Sequence, residues 1–173
     1  MKKIDLKKYG RVMVFIDVAN VIYSLRDLRW KIDYKKLQRY FQKYSKLVSI
    51  YFYFAYRKES VGQKNLLEML SRKGFKLRTK EVKFIKVDRN TVIMKGNCDV
   101  ELTIDMIALL RKYDTAVLMS GDSDFAALVK FVQKKGKKVI VISTRGHISK
   151  ELIESADRFM YFNKFRRNWE MRA

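Results

Sequence analysis

Proline is missing from this chain of 173 residues, and cysteine and histidine occur once each, as Cys98 and His147. With no proline and no low-complexity tract, nothing marks an interdomain linker. A lone cysteine excludes a disulfide framework and a cysteine-based zinc cluster, and a lone histidine excludes a multi-histidine metal site. His147 lies in the loop pattern STRGHIS with no G-x-S-x-G elbow before it, so it reads as a surface residue and not as part of a hydrolase triad. The phosphate fingerprints G-x-G-x-x-G and G-x-x-x-x-G-K-[ST] are absent, which argues against dinucleotide and nucleoside-triphosphate enzymes. Long hydrophobic runs are lacking too. The opening MKKIDLKKYGRVMVFID holds one five-residue apolar run before Asp17, too short for a signal peptide or a membrane span. The expectation is a cytoplasmic protein with no membrane partner.

Acids are scarce: 18 Asp and Glu stand against 39 Lys and Arg, a formal net charge of +21. Such an excess attracts phosphate backbones or anionic surfaces, and nucleic acid is favoured over a merely solubilising charge. Hydrophobic residues make up 48%, enough for a packed core and too many for a disordered chain. The length argues for one domain. Residues 1–162 are expected to form it, and the basic tail 163–173 (NKFRRNWEMRA) reads as an arm or a docked helix.

Continuous apolar runs predict buried strands at 11–17, 48–56, 115–120 and 137–143, with a final edge strand at 158–162. Helical spacing, caps and closing glycines predict helices at 20–28, 34–44, 60–73, 98–112 and 123–135, and a short one from the Ser149 cap to Ser155. KLRTKEVKFIKV and NTVIM read as strands joined around Asp88–Asn90. Strands alternating with helices predict an α/β three-layer sandwich around a mainly parallel sheet. Phe52, Phe54 and Phe131 are assigned to its core.

The few acids are not scattered. Between Lys95 and Phe125 lie Asp99, Glu101, Asp105, Asp114, Asp122 and Asp124, against only Lys95, Arg111 and Lys112. Asp17 ends the run VMVFI, with Asn20 three residues on. Asp122 and Asp124 follow TAVLM in SGDSDF, beside Ser120 and Ser123. In doubly wound sheets sites form beyond the carboxyl ends of strands, where the next helices begin. Asp99 opens the 98–112 helix on the same edge. At about 100° per residue it shares a face with Leu102, Met106 and Leu109, whereas Asp105 lies about 120° off that stripe and roughly 9 Å along the axis. Asp99 therefore ranks first, Asp105 second and Glu101 last. One such Asp would be read as a helix cap. Asp17, Asp99, Asp122 and Asp124 on one edge point to a shared cation, and hard oxygen ligands suit Mg²⁺ or Mn²⁺ over zinc.

The segments FIDVAN, KGNCDVELTID, SGDSDFAALV and SKELIESADRF resemble the NYN domain of the PIN-like nuclease superfamily, in its LabA-type branch, over about residues 11–162. Each piece alone is weak; SGDSDF together with the upstream K-G-x-x-D and D-x-x-N is specific. The resemblance implies a Rossmann-like, PIN-like sheet and a metal-dependent ribonuclease acting on RNA. It carries over Asp17, Asp99, Asp122 and Asp124 as metal-binding and catalytic acids and Asn20 as a catalytic partner, with Ser120 and Asp105 in support. A haloacid-dehalogenase-type phosphatase ranks low, because it needs D-x-D after the first strand and the chain has Asp17-Val18-Ala19. The serious rival is a non-catalytic RNA-binding or assembly module of the same fold. The sequence leaves a homodimer open.

Overall fold

The computed structural model describes residues 5–86 and 92–171. Its elements run β1 (Arg11–Asp17), α1 (Val18–Leu28), α2 (Tyr34–Tyr44), β2 (Lys46–Tyr56), α3 (Val61–Arg72), β3 (Lys76–Glu81), β4 (Lys83–Lys86) and β5 (Val92–Lys95). Then follow α4 (Asp99–Ala108), β6 (Thr115–Met119), α5 (Phe125–Lys134), β7 (Lys138–Ser143), α6 (Lys150–Ser155), β8 (Arg158–Tyr161) and α7 (Arg166–Trp169).

Six strands form one sheet in the order β3-β2-β1-β6-β7-β8, and every neighbouring pair in it is parallel. The chain winds outward from β1 through β2 to β3, then returns to the other side of β1 with β6. The order reverses between β1 and β6, and such a switch point opens a crevice at the carboxyl edge.

Successive side chains of a strand face opposite ways, which divides the core in two. Val12, Val14 and Ile16 pack with α1, α2 and α3, while Met13 and Phe15 pack with Leu102 and Met106 of α4 and Phe125 and Val129 of α5. The result is a helix–sheet–helix sandwich of the PIN-like, Rossmann-like kind. Among the described residues no helix is long and apolar enough to cross a membrane.

Several sequence expectations shift. KLRTKEVKFIKV is not one strand: β3 is the parallel edge of the main sheet, and β4 pairs antiparallel with β5 as a separate ribbon. The turn expected at Asp88–Asn90 lies outside the described residues. The helix predicted over 98–112 ends at Ala108. Tight turns follow, and the buried Tyr113 donates its hydroxyl to the Met106 carbonyl at 2.7 Å, capping the last turn with a residue that periodicity cannot reveal.

Phe131, expected in the core, is 38% exposed, off the Phe125–Leu128–Val132 stripe and under the Lys135 ammonium at 5.3 Å. The charged tail packs inward. Trp169 is fully buried, stacked on Phe165 at 4.0 Å between centroids and edge-on to Tyr40.

Candidate active site

Strand register builds the site. Ile16 pairs with Met119, so the exits of β1 and β6 put Asp17 beside Ser120 although 103 residues separate them. The Ser120 hydroxyl donates to Asp17 Oδ2 at 2.9 Å, and the Asn20 amide, in the first turn of α1, donates to Asp17 Oδ1 at 3.2 Å. The Asn20 side-chain oxygen accepts from the Gly121 amide at 2.8 Å, tying α1 to the β6 exit. Beyond it the chain folds on its own side chains. The Asp122 amide donates to Ser120 Oγ at 3.2 Å and the Asp124 amide to Asp122 Oδ1 at 3.0 Å. Asp124 occupies the N-cap position of α5 without a side-chain cap bond.

Asp99 is the first residue of α4, on the same edge, and Asn97 donates to its Oδ2 at 2.6 Å. Asn97 escaped the sequence analysis; its place two residues before Asp99 was the available signal.

Electrostatics register the crowding. Burial pushes the Asp17 carboxyl up to about 6, against the hydrogen bonds from Asn20 and Ser120, and the charges of Asp99 and Asp122 add to the rise. Asp99 is also held above the ordinary carboxylate range, first by burial and then by Asp122 and Asp124. Among the described residues no Lys or Arg forms an ion pair with Asp17, Asp99, Asp122 or Asp124; Lys80, whose charge Asp99 influences, is bound to Glu101 at 2.6 Å.

Mutually repelling oxygen donors without a protein cation fit a hard divalent ion. As they stand, no trio of Asp, Glu, His or Cys among the described residues is grouped closely enough to hold one.

Asp105 does not join them. It accepts from Tyr53 Oη at 2.9 Å and from Arg78 Nε at 2.8 Å, because α4 lies over β1 and β2 and carries this residue toward Tyr53 of β2 and the neighbouring Arg78 of β3. Cys98 is buried with its thiol pushed up to about 11, chiefly by burial, which leaves it protonated and inert. His147 is only 15% exposed at its side chain and bound to Asp27, not a free surface group. Its loop touches the site, since a Cβ on Gly121 would stand 1.7 Å from the His147 carbonyl oxygen.

The parallel sheet between two helix layers is that of a PIN-like domain, and the family match gives it a nuclease-like class. The chain belongs to the NYN domain family, whose model matches residues 11–163. It is 31% identical over 161 residues to the low amplitude and bright protein LabA of Synechococcus elongatus, covering 91% of this chain and 86% of that protein. A crystal structure of a protein of unknown function from Vibrio parahaemolyticus is similar, with a TM-score of 0.77 and 28% identity over 99% of this chain and 100% of that one.

Proposed function

We propose that the protein is a Mg²⁺- or Mn²⁺-dependent ribonuclease that hydrolyses RNA phosphodiester bonds at the exits of β1 and β6. The observation that carries this reading is the gathering of Asp17, Asp99, Asp122 and Asp124 on one edge of the sheet, none paired to a Lys or Arg among the described residues, in a chain of net charge +21. When bound, the ion supplies charge neutralisation at phosphorus and acidifies a water.

Asp17, Asp99, Asp122 and Asp124 are the residues that would hold it. Asp17 is the fixed one, its two oxygens set by Ser120 and by the Asn20 amide. Asn20 locks the two exits together through Gly121, and its side-chain nitrogen donates to a water or phosphate oxygen. Tyr23, 60% exposed one turn beyond Asn20, offers a ring on which an unpaired base stacks. The basic surface would bind backbone phosphates, and membership of the NYN family favours RNA as the strand.

The test is cleavage of RNA by wild type and Asp122→Asn in Mg²⁺ or Mn²⁺, with and without EDTA. Wild type cleaves, EDTA stops it and the variant is inactive. The variant's thermal midpoint in EDTA is unchanged or higher, because Asn keeps the acceptor for the Asp124 amide while one like charge leaves. Cleavage surviving in the variant would sink the mechanism. Wild type that binds RNA without cleaving it in either metal would favour the non-catalytic RNA-binding module.

A further inference from the structure

We infer that a cavity on the same edge, at the exits of β7 and β8, is a phosphate subsite for the RNA nucleotide next to the one at the carboxylates. The identity of the bound strand rests on the reading above; the anion chemistry of the cavity does not. The cavity holds about 360 Å³; Leu28 of α1 and Phe162 form apolar wall, and Thr144, Arg145, Tyr161, Asn163 and Lys164 complete the lining. That volume lies in the range of small-ligand sites and far exceeds the roughly 30 Å³ of one water.

Three observations give it a ligand class. The first is an orphan: Thr144 is 2% exposed and its Oγ1 has no hydrogen-bond partner, a desolvation cost that a bound acceptor would offset. The second is charge. Arg145 and Lys164 are in no ion pair among the described residues, and Asp27, one residue before Leu28, is already engaged with His147. The Arg145 guanidinium lies over the Tyr161 ring at 5.0 Å, a contact that attracts the cation without neutralising it. A hydroxyl donor and two cations, with Asn163 beside them, match a phosphate diester or monoester.

The third is position. Ser143 Oγ stands 2.7 Å from where a Gly121 Cβ would be, and the Ser149 amide donates to the Gly121 carbonyl at 3.2 Å. The β7 exit therefore abuts the residue between Ser120 and Asp122. Neighbouring strands are about 4.8 Å apart, so the β8 exit lies about 10 Å from the β6 exit. Along this edge the exits of β1 and β6 carry acids, and those of β7 and β8 carry cations. One phosphate reaches the acids through an ion, and its neighbour meets Arg145 and Lys164 directly.

The experiment measures binding of a 3′-fluorescein-labelled pentauridylate in EDTA by anisotropy, across a salt series. Arg145→Gln and Lys164→Gln each weaken binding about tenfold and lower the slope of log K against log salt by about 0.7. Lys130→Gln, on the exposed face of α5, leaves both nearly unchanged. Thr144→Val weakens binding while the thermal midpoint of the free protein stays level or rises, a pairing of signs that a packing role would not give.

Wild-type affinity and slope in Arg145→Gln and Lys164→Gln would overturn the subsite even if Asp122-dependent cleavage is found. Loss of binding in these variants, with no cleavage by wild type in any metal, keeps the subsite and removes the nuclease. Uridine monophosphate competes for the site better than inorganic phosphate; equal competition would overturn its assignment to a nucleotide.

Discussion

The Ser120 hydroxyl donates to the carboxylate of Asp17 at 2.9 Å, across the junction of two parallel strands that the chain reaches 103 residues apart. This contact fixes the site, because Asp17 is buried and Ser120 also accepts the Asp122 amide.

Ser120→Ala removes one of the two hydrogen bonds that favour the charged form of Asp17 and leaves the Asp122 amide without its acceptor. The expected loss is about 1–3 kcal/mol near pH 8, where Asp17 is ionised. It is smaller near pH 4, below the raised pKa of about 6, where Asp17 is protonated. Denaturant melts at both pH values check this. An equal loss at both would show that the hydroxyl serves the backbone alone.

Gly121→Ala places a methyl group 1.7 Å from the His147 carbonyl oxygen and 2.7 Å from Ser143 Oγ. Backbone must move, so a loss of about 3 kcal/mol or more is expected, together with RNA binding impaired at the carboxylates and at the β7–β8 cavity. A variant with the wild-type thermal midpoint would mean that the 144–149 loop is not seated against Gly121.

Asp114 accepts from the Arg11 amide at 2.8 Å and from Arg11 Nη2 at 2.9 Å, clamping the starts of β1 and β6. The Arg11 side chain and then its amide hold the Asp114 carboxyl down at about 2. The depressed value sets the sign: the contribution is complete above the ordinary carboxylate range and lost as pH falls toward 2. Both side chains are half exposed, so solvent screening keeps the effect small. Asp114→Asn should therefore lower the midpoint at pH 7 and converge on wild type near pH 2, read by urea melts across that range. A constant gap at all pH values would contradict the ionic origin.

Trp169→Ala empties a fully buried ring site between Phe165, Tyr40 and Phe41, at an expected cost of about 3–5 kcal/mol. Deleting 164–173 should destabilise at least as much. A thermal midpoint within two or three degrees of wild type, about what 1 kcal/mol produces in a chain of this length, would make the segment an appendage after all.

What could be read without the structure was local. Unbroken apolar runs marked β1, β6 and β7, since a parallel strand covered on both faces tolerates few polar residues. The caps at Asp33 and Ser149 appear as expected, with their side chains accepting from Lys35 and Leu152 amides, because capping involves residues only two or three apart. The placement of Asp17, Asp122 and Asp124 at strand exits was legible for the same reason. Pairings between distant segments were not. Only the fold could set β1 beside β6 and so bring Ser120 to Asp17, or turn Asp105 away from the other acids to Arg78 and Tyr53. The tail is the plainest case: its charge marked NKFRRNWEMRA as separate, yet Phe165 and Trp169 pack against α2. Composition averages over side chains, whereas burial depends on which face of a short helix meets an apolar surface made elsewhere in the chain.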